Sequence, residues 1–290
     1  MKPEVSSGDA ALQPGLYVVA TPIGNLEDIT LRALRVLKEV DLIACEDTRH
    51  TQKLLSHFGI STRTISYYEQ NEASRAAELV KELEAGKRIA LVTDAGMPGI
   101  SDPGYRLIAL AIEHGIKITP IPGASAVISA LAASGLPTDS FQFHGFLPPK
   151  SGQRRKMFEN IRASSQTEIF YEAPHRLKEA LEDIVAVLGP ARPIVIAREL
   201  TKIHEEFLRG SSSDILKELN VRSEVKGEIT LLIGKASEGP DTVHLQETIR
   251  ERVQKIMDEQ NLDEKAALKT VAKERGISKS EAYRELQRSK

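Results

Sequence analysis

The sequence predicts an α/β protein followed by a small all-helical part. Two observations carry most of that prediction. Short apolar runs alternate with longer helical stretches from Gly15 to Gly234, as expected for strands laid side by side and joined by crossover helices. After Gly234 the strand signal stops, and Val243–Lys290 is charged and helical in pattern. Composition agrees with both. Apolar residues make up 41% and charged residues 28% of the 290, ordinary for a globular chain and wrong for a disordered or fibrous one.

The elements follow in order. Gly15–Ala20 reads as a strand and Thr30–Val40 as a helix, with Thr30 as its N-cap. Asp41–Cys45, Arg63–Tyr67, Arg88–Thr93 and Lys117–Pro120 read as strands. They are followed by helices over Thr48–Phe58, Glu72–Ala85, Gly104–His114 and Ala124–Ala133. Five such alternations argue a largely parallel sheet. Beyond them, Phe141–His144, Thr167–Tyr171, Arg192–Arg198, Glu206–Arg209 and Glu228–Ile233 are strands, and Gln153–Ala163, His175–Leu188 and Ser213–Leu219 are helices. The last three strands have one intervening helix, which favours antiparallel pairing. The Pro/Gly-rich loop Gly145–Gly152 is the expected boundary, giving α/β subdomains over 15–145 and 146–235.

Ala236–Thr242 reads as a linker to a helical tail over 243–290. Within the tail Ala266, Ala267, Val271 and Ala272 share an apolar face, Gly276 stops the helix, and Ser278 with Glu281 forms a capping box. Lys265–Lys290 carries eight basic and three acidic residues. This helix–turn–helix pattern suits either a nucleic-acid contact or a solvated appendage.

Charge and cysteine content narrow the function. The net charge of -2 means that any nucleic-acid surface must be local. A single cysteine, Cys45, excludes an internal disulfide framework, and it reads as a buried small apolar residue. The seven histidines have no metal-ligand spacing, and no metal is expected. Met1–Pro14 lacks the apolar core of a signal peptide, and Leu107–Ile112 and Ala124–Ala133 fall short of the ~20 residues of a membrane helix. The expectation is a soluble cytoplasmic protein with no membrane association.

Three loops follow the C-terminal ends of strands, where open α/β sheets bind ligands. Ala20–Asp28 (ATPIGNLED) turns tightly at Pro22 and Gly24, and lacks a dinucleotide fingerprint. Thr93–Tyr105 (TDAGMPGISDPGY) is stiff with glycine and proline, which lowers the ordering cost of binding. In it Asp94 is a candidate ligand acceptor, while Asp102 suits the N-cap of the next helix through Pro103. Pro120–Ala126 (PIPGASA) sets Ser125 at a helix N-terminus, which favours anionic groups.

With these loops stand the segments VATPIGNLEDIT, ACEDTRHTQKLL, YYEQNE, VTDAGMPGISDPGY, PGASAVISAL, GFLP, FYEAPHRL, RELTKIHEEFLRG and GEITLLI. Together they resemble the tetrapyrrole methylase fold, and within it the ribosomal RNA small subunit methyltransferase I family. The resemblance implies two α/β subdomains with mixed sheets, S-adenosylmethionine in the cleft between them, a homodimer and no metal. It also implies transfer of a methyl group to the 2′-oxygen of a cytidine in the decoding region of 16S ribosomal RNA. The donor contacts it implies are Pro22, Ile23, Gly24, Asp94, Ala95, Gly96, Pro98, Ser125, Ala126, Glu172 and Leu200, with either Asp94 or Asp102 as the matching aspartate.

Such a transfer needs an in-line approach and a place for the hydroxyl proton. Glu46, Asp47, Arg49 and Glu199 are the catalytic candidates, because EDTR and RE directly follow apolar strands. The same residues equally suit a helix cap or an ion pair. Lys150, Arg154, Arg155, Lys156, Arg198 and Lys202 are candidate phosphate contacts. Tyr68 is a candidate stacking surface, and Tyr67 alternates into the core.

Overall fold

The computed structural model describes residues 11–236, 249–260, 263–274, 282–284 and 286. The chain forms two compact units, Met1–Lys235 and Ala236–Lys290.

The first unit begins with β1 (Gly15–Val19), α1 (Leu31–Glu39), β2 (Leu42–Cys45), α2 (Thr48–His57), β3 (Thr64–Ser66), α3 (Glu72–Glu84), β4 (Arg88–Val92), α4 (Tyr105–Glu113) and β5 (Ile118–Ile121). These strands form one sheet in the order β3-β2-β4-β1-β5. Every pairing in it is parallel. Strand side chains alternate between faces, so each strand supplies two cores. Leu16, Val18, Leu42, Ala44, Ile89 and Leu91 pack against α3 and α4 through Leu79, Val80, Leu83 and Leu107. Tyr17, Val19, Ile43, Ala90 and Val92 pack against α1 and α2 through Val36, Leu37 and Leu55. A sheet covered on both faces accounts for the unbroken apolar runs in the sequence.

After α5 (Ala126–Ser134) come β6 (Phe141–Phe146), α6 (Ser151–Asn160), β7 (Thr167–Glu172), α7 (Leu177–Leu188), β8 (Pro193–Arg198), β9 (Glu206–Ser211), α8 (Ser212–Asn220) and β10 (Ile229–Ile233). The second sheet has the order β6-β7-β10-β8-β9. Its β6–β7 pair is parallel and its other pairs are antiparallel. Because β6 already pairs in this sheet, the change of sheet falls between β5 and β6, ahead of the Gly145–Gly152 loop expected to mark it. One face packs on α6, α7 and α8 through Phe158, Phe170, Leu181, Ile184, Ile215 and Leu231. The other packs on α5, where Val127, Ala130 and Leu131 meet Ile169, Val195, Ala197 and Leu232.

Helix starts follow local chemistry. Thr30 accepts the Ala33 N–H at 3.0 Å, as its sequence position implies. Asp47 caps α2 by accepting the Arg49 N–H at 2.8 Å. Asp102, however, does not cap α4. That place belongs to Gly104 at φ 147°, with no side-chain cap hydrogen bond. A Cβ there would lie 2.9 Å from the Gly99 nitrogen, so only glycine lets the loop fold back so tightly.

The basic run on α6 needs a correction. Arg154 is 1% exposed, so it cannot reach an RNA phosphate. Helix α7 packs across α6 and brings Asp183 to it: Arg154 donates through Nε at 2.8 Å, Arg155 through Nε at 2.7 Å and Ser151 through Oγ at 2.8 Å. The sequence cannot reveal this pairing because the partners are 29 residues apart. Lys150 and Lys156 remain exposed.

In the second unit α9 (Ile249–Gln260) and α10 (Glu264–Glu274) share a core of Val253, Ile256, Ala267, Leu268, Val271 and Ala272, joined by Ala282 and Leu286. Lys265 and Lys269 are exposed. The expected stop at Gly276 and capping box Ser278–Glu281 lie outside the described residues, as does nearly all of the Ala236–Thr242 linker.

Asp183→Ala leaves the buried Arg154 guanidinium with only the exposed Glu179 carboxylate, 3.7 Å away, as counter-charge. The expected loss of stability is about 3–5 kcal/mol, read as a lower urea midpoint at an unchanged slope.

Candidate active site

The C-terminal ends of β1 and β4, the start of α5 and the ends of β7, β8 and β10 enclose a cavity of about 310 Å³. Backbone contacts hold the first two loops together. Thr21 and Gly96 exchange N–H···O bonds of 2.9 and 3.1 Å, and the Thr21 hydroxyl donates to the Thr93 carbonyl at 3.0 Å. Gly96 holds φ 87° there, a left-handed conformation open to glycine. The three described non-glycine residues with positive φ are Ser101, Glu199 and Thr201. Ser101 lines the cavity, and the other two flank Leu200, which also lines it. Backbone strain of this kind concentrates at functional sites.

Of the donor contacts implied by resemblance, Ile23, Ala95, Gly96, Ser125, Ala126, Glu172 and Leu200 line this cavity. Pro22 and Asp94 line a neighbouring cavity of about 220 Å³. Gly24 and Pro98 line neither. Gly24 is exposed beside Lys202, whose Cγ a Cβ would meet at 2.5 Å, and Pro98 is buried within its loop. Sequence reasoning missed Ile100, Phe146, Tyr171 and Ile229, which supply apolar wall. Apolar residues at strand ends look like core until the sheets are placed.

Two carboxylates define the electrostatics. Glu172 is 2% exposed. Its Oε1 accepts from Arg176 at 2.7 Å and from the Ala173 N–H at 2.6 Å, while the buried Oε2 has no partner. Asp102 also lines the cavity. Burial, with the nearby Glu46 and Asp94 charges, pushes its carboxyl up to about 6. Next to it, burial and the Asp102 charge push the Tyr171 hydroxyl up to about 12.

The residues proposed for catalysis from sequence sit elsewhere. Asp47 is bound twice by Arg49, with Oδ2 at 2.8 Å from Nη2, and the guanidinium holds it well below the usual carboxylate range. Neither residue lines either cavity. Glu46 accepts the Thr93 hydroxyl at 2.9 Å. Glu199 accepts from Lys202 Nζ and from the Glu228 N–H, both at 2.9 Å, and Lys202 lowers it. Arg198 is spent on Glu206 at 2.9 Å, and Lys202 also reaches Glu228 at 2.9 Å. Cys45 is fully buried, and burial pushes its thiol up to about 11, the opposite of an activated nucleophile. Tyr67 is core, donating to Glu72 at 2.9 Å, and Tyr68 is 40% exposed.

Gly227→Ala tests how tightly the cavity rim is built. Gly227 has φ 93°, and an added Cβ would lie 2.3 Å from the Glu199 Cγ. Gly59 also has positive φ, but its surroundings are open. Gly227→Ala is therefore expected to melt well below Gly59→Ala, with an excess loss of about 1–3 kcal/mol from the clash.

The comparisons with known proteins agree with this geometry. The family described as Tetrapyrrole (Corrin/Porphyrin) Methylases matches residues 15–216. The chain is 48% identical over 273 residues to the ribosomal RNA small subunit methyltransferase I of Halalkalibacterium halodurans, covering 92% of this chain and 93% of that one. It is 45% identical over 268 residues to the protein of the same name from Synechocystis sp., covering 92% and 95%. In fold it is similar to the Thermus thermophilus uroporphyrin-III C-methyltransferase complexed with S-adenosyl homocysteine. The TM-score is 0.52 at 17% identity, over 77% of this chain and 98% of that one. The two-sheet cavity and these extents of identity place the chain in the ribosomal RNA small subunit methyltransferase I family of the tetrapyrrole methylases.

Proposed function

We propose that the protein methylates the 2′-oxygen of a cytidine ribose in the decoding region of 16S ribosomal RNA, with S-adenosylmethionine as donor. The observation that carries this reading is the 310 Å³ cavity between the sheets, within the range of small-molecule sites at ~300–1,000 Å³. Its residues fit the donor. Ile23, Ala126, Leu200 and Ile229 offer apolar surface, and Ser125 sits at the N-terminus of α5. The unpartnered Oε2 of Glu172 is a buried acceptor that a donor hydroxyl or amine would satisfy. The cytidine and its 2′-oxygen rest on the motif resemblance, and the small ribosomal subunit rests on the names of the relatives.

When bound, the donor supplies an electrophilic sulfonium methyl. The chain's task is to orient the acceptor hydroxyl and take its proton. Asp102 suits that task better than the carboxylates nominated from sequence. Asp47 and Glu199 are held by cations, whereas Asp102 lines the cavity with no ion pair among the described residues. A carboxylate poised near 6 is deprotonated at neutral pH and still a useful base. Glu46, close to Asp102 and bonded to Thr93, helps keep that affinity for a proton high.

A homodimer belongs to this reading. What supports it is the outer face of α4, where Tyr105 and Ile112 lie two turns apart and are 77% and 60% exposed. No described helix is long and apolar enough to cross a membrane. A cytoplasmic setting belongs to this reading, and the ribosomal RNA acceptor supports it.

The test offers labelled S-adenosylmethionine to small ribosomal subunits from cells lacking the gene, followed by digestion to nucleosides. Label in 2′-O-methylcytidine is expected; label in any other nucleoside, or none, overturns the assignment. For Asp102→Asn a fall in kcat of about 10²–10⁴ is expected, with donor affinity retained by calorimetry. The wild-type kcat should fall as pH drops through about 6, because Asp102 then carries a proton. The variant should lose that inflection.

A further inference from the structure

The cations assigned to RNA from sequence are mostly engaged within the protein. Arg154 and Arg155 hold Asp183, Arg198 holds Glu206, and Lys202 holds Glu199 and Glu228. Among the described residues no lysine or arginine lines the donor cavity. The acceptor strand must nevertheless bring its phosphates close to that cavity, since the reacting hydroxyl has to enter it.

The neighbouring cavity of about 220 Å³ supplies what is missing. It shares two stretches of wall with the donor cavity. Pro22 lines one and Ile23 the other; Thr93 and Asp94 line one, and Ala95 and Gly96 the other. Its remaining polar wall comes from α2, where His50, Lys53 and His57 project at intervals of three and four residues and so share one helix face. All three are exposed. Lys53 has no carboxylate partner among the described residues, although ion pairing is widespread in this chain. Asp94 is the acidic group of the cavity, and it is partly engaged by the Asp47 N–H at 3.3 Å. Buried Thr51 and Thr93 also line it. The result is a pocket beside the donor cavity with one unpaired ammonium, two imidazoles and a carboxylate that can accept from a hydroxyl. A sugar–phosphate linkage carries that combination of groups.

We propose that this second cavity seats a phosphodiester of the RNA acceptor, held by Lys53 with His50 and His57, next to the ribose that enters the donor cavity. The proposal rests on the RNA-methylating reading above and names the part of the chain that grips the acceptor. It departs from the basic run on α6, where the fold buries Arg154 and ties Arg155 to Asp183 and only Lys150 and Lys156 stay exposed without a carboxylate among the described residues.

The test uses the full chain and subunits lacking the methyl group. Co-sedimentation with subunits over a range of salt concentrations needs no methyl transfer, so it stands even where the assignment of the reaction fails. Lys53→Ala is expected to weaken subunit binding about tenfold and to lower the salt dependence by about one counterion. In steady state the subunit KM should rise by the same factor with kcat nearly unchanged. The double variant His50→Ala/His57→Ala should weaken binding further, and Lys53→Arg should restore it. Donor affinity by calorimetry should stay at the wild-type value in every variant. Unchanged subunit binding and salt dependence in Lys53→Ala would overturn the proposal. So would a parallel loss of donor affinity, which would make the donor's own carboxylate the anion in this cavity. Lys53 is exposed and makes no ion pair among the described residues, so the variant is expected to fold, and an unchanged melting temperature checks this.

Discussion

The packing of α5 across the second sheet is the constraint on which the site depends. Val127, Ala130 and Leu131 lie against Ile169, Val195, Ala197 and Leu232, and the same cluster takes in Ile23 from the loop after β1 and Leu200 from the loop after β8. Burying each large aliphatic side chain contributes about 1.5–3 kcal/mol. The cluster therefore couples the ligand-binding edge of one sheet to the ends of strands in the other. Small residues on α5 allow the approach, and Gly123 is needed beside it, because a Cβ there would fall 2.9 Å from the Ala20 methyl. The cavity is the space that this packing leaves between the two sheets.

Charge is distributed on the same logic. Most candidate cations are consumed by carboxylates brought near by tertiary packing, including the buried Arg154 and Asp183. Burying such a pair costs desolvation that good geometry must offset. At the cavities the balance is different. Glu172 keeps one oxygen without a partner, Asp102 has no cation, and Lys53 has no carboxylate among the described residues. Groups left unsatisfied by the chain are those that a ligand can satisfy, and these three line two adjoining cavities.

Backbone conformation points to the same place. Ser101, Glu199 and Thr201 hold positive φ without being glycine, at a cost of order 1–3 kcal/mol each. All three lie in the loops bordering the donor cavity. Gly227 must be glycine because Glu199 folds across it, so the rim after β8 and the turn before β10 are built as one piece.

Local chemistry was legible in the sequence, and long-range pairing was not. Strands and helices of the α/β unit follow the apolar periodicity closely, and Thr30 and Ser125 cap their helices where the residue type says they should. These features depend on neighbours within four residues. Family membership was equally legible, because long loop segments with unusual glycine and proline placement survive as sequence. Tertiary structure decided which charges are free. Arg154 and Lys53 are both basic residues on helices, but α7 carries Asp183 to the first, and no carboxylate among the described residues reaches the second. It decided the place of Asp102 as well, since a fold-back at Gly104 moved the helix cap beyond it and left its carboxyl facing the cavity. The physical reason is common to both: burial and pairing are set by elements far apart in the chain, and a sequence read locally contains neither.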